Sequence, residues 1–539
     1  MIIKFIKKQL LYKKIKSINY SQFSNKKKTT NDVVLIEFNS FHILHIIFAY
    51  LSNYFKDKKN LTIKAFYSHI LLSYPLERSI RQKICSYFGE IFNINLFGIY
   101  KSFGVEEFIF PEISKRNKKK SKVHFQKIIK KLKKKKDILK IKIDSILLGD
   151  LIYDSYLTRN KKQKPTIDIN SDDFNKFLFQ FISLFFAWQE IFIKNNVKTL
   201  LVSHSCYTMG IPVRILLRKK VLTFEVKENR LKRLDYSNLN HYSETTLYPS
   251  IFKKFDNKQK KTNLEYANIN LNKRFEGSTL DLPYVTNSAF NKKVNKIDPI
   301  IKKTKKIKIL ILPHDFVDAP HIAGDFVFAD MYEWIKYLSA KSNKKIEYEW
   351  YLKTHPKMGD KYKWYQNFTK QIINKLTLNS RIKILNPDTT HNEIINSGID
   401  FVLTVFGTPA HEYAFKEVPV VNASIFNPHS AYKFNIHTNK LSEYDKIIDN
   451  LKKIKLKIKK KEVLEFYYMH FLYASKDWFF NDYAKMLKSL GNYHFQWSDK
   501  FYEYWILNSK NNSKKEFYEK IARFIDSKDL IFSIKHQNK

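Results

Sequence analysis

At 539 residues, with 44% hydrophobic and 16% aromatic content including 44 Phe and 33 Tyr, the chain can bury several ordinary cores; disorder and collagen-like structure are excluded. Two cysteines, Cys85 and Cys206, far apart in sequence, exclude a disulfide framework and fit a reducing, cytoplasmic setting. The net charge of +46 comes from 97 Lys and Arg against 51 Asp and Glu, yet only eleven are Arg, so a lysine-rich solvated surface is expected rather than a nucleic-acid partner.

From the start, residues 1–28 mix apolar side chains (Ile2, Ile3, Phe5, Ile6, Leu10, Leu11) with lysines at 4, 7, 8, 13 and 14. The lysines break any signal-peptide core. The segment reads either as an amphipathic helix on an anionic inner leaflet or as a loosely attached basic leader. No run reaches ~18 uninterrupted apolar residues, and His42–Leu51 and Phe177–Trp188 read as buried helices.

Beyond residue 28, β-rich runs alternate with helical stretches. Val33–Phe38 (VVLIEF) and Leu61–Phe66 (LTIKAF) predict strands around a helix over Phe41–Phe55. The basic run 117–136 predicts a surface helix or loop. Ser171–Lys194 predicts a long helix, followed by strands at Val197–Ser203 and Val221–Val226. Periodicity weakens from Tyr236 to Pro299, as in a hinge with short helices. A second block then predicts strands at Ile307–Leu312, Ile346–Leu352, Ile382–Leu385, Phe401–Val405 and Val418–Ala423. Helices are expected between them at Asp330–Ala340, Trp364–Leu376 and Pro409–Lys416. The chain turns helical after Leu441. Strands spaced by helices imply two parallel α/β blocks, a linker and a helical tail.

Five segments carry possible chemistry. In Thr404-Val-Phe-Gly-Thr-Pro-Ala-His-Glu412 a strand ends and Gly407 permits a tight turn. Thr408 is suited to cap a helix whose first residue is Pro409. Free amides there favour an anion, and Glu412, one turn in, could reach a ribose hydroxyl; the bland alternative is a well-capped helix without a ligand. In Lys353-Thr-His-Pro356, Pro356 biases His355 toward extended backbone at a strand end, where Lys353 and His355 could meet a phosphate leaving group. Leu312–Gly324 (LPHDFVDAPHIAG) holds two His and two Asp, including His314 and Asp315. Its spacing fits no common zinc pattern, so no metal is expected and the segment reads as a cleft loop. In the first block, Asp150, Asp154 or His204 could take a proton from an acceptor hydroxyl. No phosphate-binding Gly-x-x-x-x-Gly-Lys loop, Gly-x-Ser-x-Gly elbow or Cys-x-x-Cys pair occurs. The mere 11 Gly disfavour ATPases and dinucleotide oxidoreductases, and no cofactor is expected.

The succession KTHP, TVFGTPAHEYAFKEVPVVNAS and NPHSAYKFNIHT resembles the C-terminal half of bacterial capsule and surface-polysaccharide transferases. These include the capsule-type Kdo transferases with their HP motif and the teichoic-acid glycerophosphotransferases. HDFVDAPHIAGDFVFADMYEWI, GDLIYDSYLTR and NKRFEGSTLDLPYVTNSAF are similar to surface-carbohydrate glycosyltransferase-like proteins. The resemblance implies a GT-B-like α/β fold, two Rossmann-like domains facing across a cleft with a helical C-terminal tail. It implies a basic segment 1–30, an acceptor domain 31–235, a hinge 236–300, a nucleotide-sugar domain 301–450 and a tail 451–539. His355 would contact the donor phosphate; Thr404, Gly407 and Thr408 match the phosphate-binding turn; Glu412 matches a ribose-binding acid; and Lys353, His314 and Asp315 would line the same donor site. Relatives often carry two hydroxyl residues where Gly407 and Thr408 stand, so phosphate contact here would rest more on backbone amides. The expected activity is metal-independent transfer of a sugar from a CMP- or UDP-type donor to a glycan or lipid-linked glycan, at the cytoplasmic face of the membrane. The rivals are a CDP-glycerol glycerophosphotransferase, a basic nucleic-acid-binding protein and a non-catalytic polysaccharide assembly or export partner.

Overall fold

The computed structural model describes residues 2–23, 30–67, 79–158, 164–237, 239–282, 288–290, 301, 304–354 and 363–537. They form two compact units. One comprises Met1–Lys162, Ile169–Leu239 and Ala474–Lys539; the other comprises Gln163–Asp168 and Asn240–Tyr473.

The first unit is built on strands β1 (Asp32–Phe38), β2 (Thr62–Tyr67), β3 (Glu107–Ile109), β6 (Asn196–Val202), β7 (Leu222–Lys227) and β8 (Arg230–Arg233). A separate small hairpin holds β4 (Lys142–Ile143) and β5 (Ile146–Leu147). The sheet order is β3-β2-β1-β6-β7-β8, parallel except for the β7–β8 hairpin. Val33 to Phe38 are all buried, because helices cover both faces of a parallel sheet; hence the run VVLIEF is continuous rather than alternating.

The second unit repeats the plan with β9 (Ile307–Ile311), β10 (Tyr348–Leu352), β11 (Ile382–Ile384), β12 (Phe401–Thr404), β13 (Val420–Asn422) and β14 (Ile436–His437). Its order is β11-β10-β9-β12-β13-β14, parallel throughout. The α/β class with two Rossmann-like sheets and a helical C-terminus is therefore the fold. Every strand expected from the sequence is present, displaced by no more than two residues at either end. Strands β3, β8 and β14, with three, four and two residues, carry too little pattern to be read in advance.

Three segments differ from expectation. Residues 2–23 form the helix Ile2–Phe23, which buries Tyr12, Ile15 and Phe23 in the first core and joins Asn19 to Ser102 at 2.9 Å. That face is occupied by protein, which corrects the reading of this helix as a loosely attached leader, while Ile6 and Leu10 on it are exposed. The stretch expected as a hinge with short helices carries a longer one of 19 residues, Asn257–Phe275, started by an Asp256–Gln259 capping box. Only Ala267, Leu271 and Phe275 are buried along it, so its pattern is too polar to announce a helix of that length. Finally, the helical tail divides between the units after Tyr473. Its last part places Trp478, Phe479, Trp505 and Phe517 in the core with Tyr50 and Phe55. It also closes the β8 edge, through Arg233 N to Leu530 O at 2.7 Å and Phe532 N to Leu231 O at 2.9 Å.

Candidate functional site

Each sheet has one place where the direction of strand succession reverses. From β1 the chain adds β2 and β3 on one side and β6 onward on the other; from β9 it adds β10 and β11, then β12 onward. Loops leaving the carboxyl ends of the two strands at such a point turn apart, and ligands of open α/β sheets gather in the crevice between them.

At the β9/β12 point the two loops are tied together. Leu312 N donates to Leu403 O at 2.9 Å, and the Thr404 hydroxyl donates to Leu312 O at 3.1 Å. Thr404 is thus a buried brace and not a free hydroxyl donor to a ligand. Beyond it, the half-buried His314 ring packs on Phe406 with centroids 4.9 Å apart. The Asp315 carboxylate accepts from the amides of Val317 at 2.8 Å and Asp318 at 3.0 Å, which closes the turn that presents His314. Gly407 is needed for close approach: a Cβ there would lie 3.2 Å from the Thr404 hydroxyl and 3.1 Å from Pro409 Cδ.

Thr408 requires a correction. It lies in the helical region (φ −48°, ψ −37°) and its side chain caps nothing; the helix Pro409–Phe415 opens instead through Ala410 N to Gly407 O (3.1 Å) and His411 N to Thr408 O (3.3 Å). An N-cap needs extended backbone to turn its hydroxyl onto the following amides, and Thr408 does not have it.

Glu412 requires a second correction. It is buried on the inner face of its helix, where Arg274 Nε donates to Oε1 at 2.6 Å. Arg274 also donates to Asp281 Oδ1 at 2.9 Å, and the Tyr467 hydroxyl donates to Asp281 Oδ2 at 3.0 Å. Burial raises the Glu412 pKa while the guanidinium opposes the rise. The carboxylate faces this network and not a ribose. Lys353, also buried, directs its ammonium to Pro387 O at 3.1 Å and so braces the loop after β11. His355 lies outside the described residues.

In the first sheet the β1/β6 point presents His204. Two buried acids pin the loop on either side of it: Ser203 N donates to Glu37 Oε2 at 2.5 Å, and the Ser205 hydroxyl donates to Glu225 Oε2 at 2.9 Å. Nδ1 of the half-buried His204 shares a hydrogen bond with the Ser203 hydroxyl at 2.8 Å, and its ring lies 6.4 Å from that of Phe41. Sequence reasoning missed Glu37 and Glu225, although an acid inside an otherwise apolar strand was a signal.

Asp150 and Asp154 are placed differently. Asp150 forms a two-pronged ion pair with the buried Arg214, which also donates to Leu147 O at 2.6 Å. Asp154 is buried within the helix Gly149–Thr158. Both are corrected as candidate bases: the partly buried Asp150 is turned onto the buried Arg214 guanidinium and Asp154 is sealed in the core, so neither is placed to meet an acceptor hydroxyl. In the Leu312–Gly324 loop, His321 Nε2 is engaged with Ala329 O at 3.0 Å.

A chain with two Rossmann-like units, each presenting a histidine at its carboxyl-end switch point, belongs to the class of paired-Rossmann α/β proteins. No known family matches the sequence, and no curated protein does. Among solved structures it is similar to the KpsC beta Kdo 2,4 transferase of Thermosulfurimonas dismutans, at 10% identity over 52% of this chain and 85% of that one, with a TM-score of 0.32. It is also similar to the UDP-GlcNAc 2-epimerase of Neisseria meningitidis bound to UDP-GlcNAc (10% identity, 81% of this chain and 97% of that one, TM-score 0.24). A putative UDP-N-acetylglucosamine 2-epimerase of Listeria monocytogenes gives 12% identity, 85% and 98% coverage and a TM-score of 0.23.

Proposed function

We propose that this chain is a glycosyltransferase that moves a sugar from a nucleotide-activated donor to a surface glycan. The observation that carries the reading is the junction of the β9 and β12 loops, where His314, Phe406, Gly407 and Thr408 meet at a switch point. Phe406 and His314 offer apolar and polar surface to a nucleotide, and the Gly407–Thr408 turn offers backbone amides to its phosphates. From the resemblance stated above, His355 meets the phosphate that leaves with the nucleotide. His204, held by Ser203, is the first unit's candidate to accept a proton from an acceptor hydroxyl; in the transfer itself the new glycosidic bond forms as the sugar's bond to phosphate breaks. Asp150 and Asp154 drop out of this scheme, as does Glu412.

The test is a thermal-shift screen with CMP, CDP, UDP and GDP, since a ligand that binds the native state raises its apparent stability. One nucleotide raises the melting temperature of the native chain, and Gly407→Val, which crowds Thr404 and Pro409, removes that rise. If no nucleotide shifts the transition, the reading is rejected. His355→Ala removes transfer with the melting temperature unchanged; retained turnover would remove that residue from the scheme.

A further inference from the structure

The helix Ile80–Ile91 is built as though it had a core to face. Ile80, Ile84, Tyr87, Phe88 and Ile91 recur at the spacing of a single helical stripe, and Phe92 extends it by a residue. A Ser79–Gln82 capping box starts the helix, so its N-terminal end is well made. Yet the stripe is exposed: Ile80 at 78%, Tyr87 at 64% and Phe92 at 63%, and Gly89 is the helix's one buried residue. Scattered exposed apolar side chains are ordinary, but six on one face mark a surface that meets something apolar.

The neighbouring charge says what that something is. Lys83 Nζ, on the flank of the stripe, lies 3.3 Å from Glu112 Oε2, which brings this helix next to the segment that leads into the helix Lys115–Ile129. Residues 115–136 hold thirteen Lys or Arg and no acid, and most of those on the helix are exposed. An apolar stripe beside a dense, mainly lysine cluster matches a bilayer with anionic headgroups, where the stripe enters the acyl boundary and the lysines remain at headgroup level. A second copy is disfavoured, since two chains of charge +46 repel each other. A nucleic acid would satisfy the lysines and leave the stripe without a function.

We propose that the helix Ile80–Ile91, with the basic stretch 115–136, is a docking surface for an anionic lipid bilayer. The inference rests on this surface alone and stands whether or not the chain transfers sugars. The test uses the full-length chain and vesicles of phosphatidylcholine with or without phosphatidylglycerol. Cys85 is exposed on this helix and Cys206 is buried, so a polarity-sensitive dye attached at Cys85 reports on the helix directly. The chain sediments with the anionic vesicles and not the neutral ones, and the dye emission shifts to the blue. The double variant Ile84→Glu, Phe88→Glu lowers the vesicle partition coefficient by about tenfold or more at an unchanged melting temperature, because two apolar side chains no longer leave water. Replacing Lys118, Lys119 and Lys120 by Gln weakens binding to anionic vesicles while the stripe is intact. Equal binding to both vesicle types, an unshifted dye, or a double variant that binds as the native chain does would each overturn the proposal. Gel filtration showing a dimer that the double variant dissolves would assign the face to a second copy instead.

Discussion

Arg274 serves two carboxylates at once: Glu412 on the helix Pro409–Phe415 and Asp281 beyond the end of its own helix. All three side chains are nearly or wholly buried, so each charge depends on the others for compensation. Removal of Arg274 leaves two buried carboxylates without their cation, which typically costs about 3–5 kcal/mol. Arg274→Ala is therefore expected to lower the urea midpoint steeply, and Glu412→Ala, which leaves the Arg274–Asp281 pair in place, to lower it less. Were Glu412 a ribose ligand instead, its replacement would spare stability and raise the KM for the nucleotide donor. The same logic applies to Asp150: Asp150→Ala strands the buried Arg214 and is expected to destabilise the first unit, whereas a catalytic base would be lost without a change in unfolding. These pairings were not legible in the sequence. Arg274 and Glu412 are 138 residues apart, and an acid one turn into a helix looks the same whether it faces a ligand or an arginine. What could be read was the position of His204 and His314, because each directly follows an unmistakable apolar strand.

At the scale of elements, the C-terminal side of the second sheet encloses a cluster of histidines. His411 Nδ1 and His429 Nε2 lie 3.4 Å apart, both buried, against Phe466. Burial lowers the pKa of both well below the ordinary value near 6.5; His437 and His470 add to the lowering at His429, and His429, Arg274 and His470 add to it at His411. The native state therefore stays unprotonated at pH values where the unfolded chain takes up protons. Stability contributed by these imidazoles is present above pH ~6.5 and falls below it, by about 1.4 kcal/mol per pH unit for each histidine. Two carboxyl groups work in the opposite direction. Glu465 is pushed up to about 7, chiefly by burial, and the buried Glu412 is also raised, so both favour the native state as the pH falls. The histidine contribution is isolated by comparison: His429→Gln should flatten the fall in stability between pH 7 and pH 5.5 measured by urea denaturation. An unchanged slope in that variant would assign the acid sensitivity elsewhere.

At the scale of the molecule, the chain crosses between its two units more than once, and no local pattern announces this. The strands were legible because both faces of a parallel sheet are covered, which makes each strand a continuous apolar run. The allegiance of the last 66 residues was not, since an aromatic-rich helical segment looks the same whichever core receives it. The structure assigns them to the first unit, where Trp478, Phe479, Trp505, Phe517, Phe524 and Phe532 are buried with the helix His42–Lys59 and strand β7. They also give the edge strand β8 backbone partners it would otherwise lack. A chain ending at Tyr473 should thus keep the second sheet whole and leave the first core open to water. The expected result is loss of the first unit's cooperative unfolding transition with that of the second unit kept, together with strong binding of a hydrophobic dye. Addition of residues 474–539 as a separate peptide should reduce the dye signal, because the binding energy lies in packing and edge hydrogen bonds rather than in chain continuity. If the shortened chain melts as the full one does, with no dye uptake, the first unit does not need its C-terminal helices and this account of its core fails.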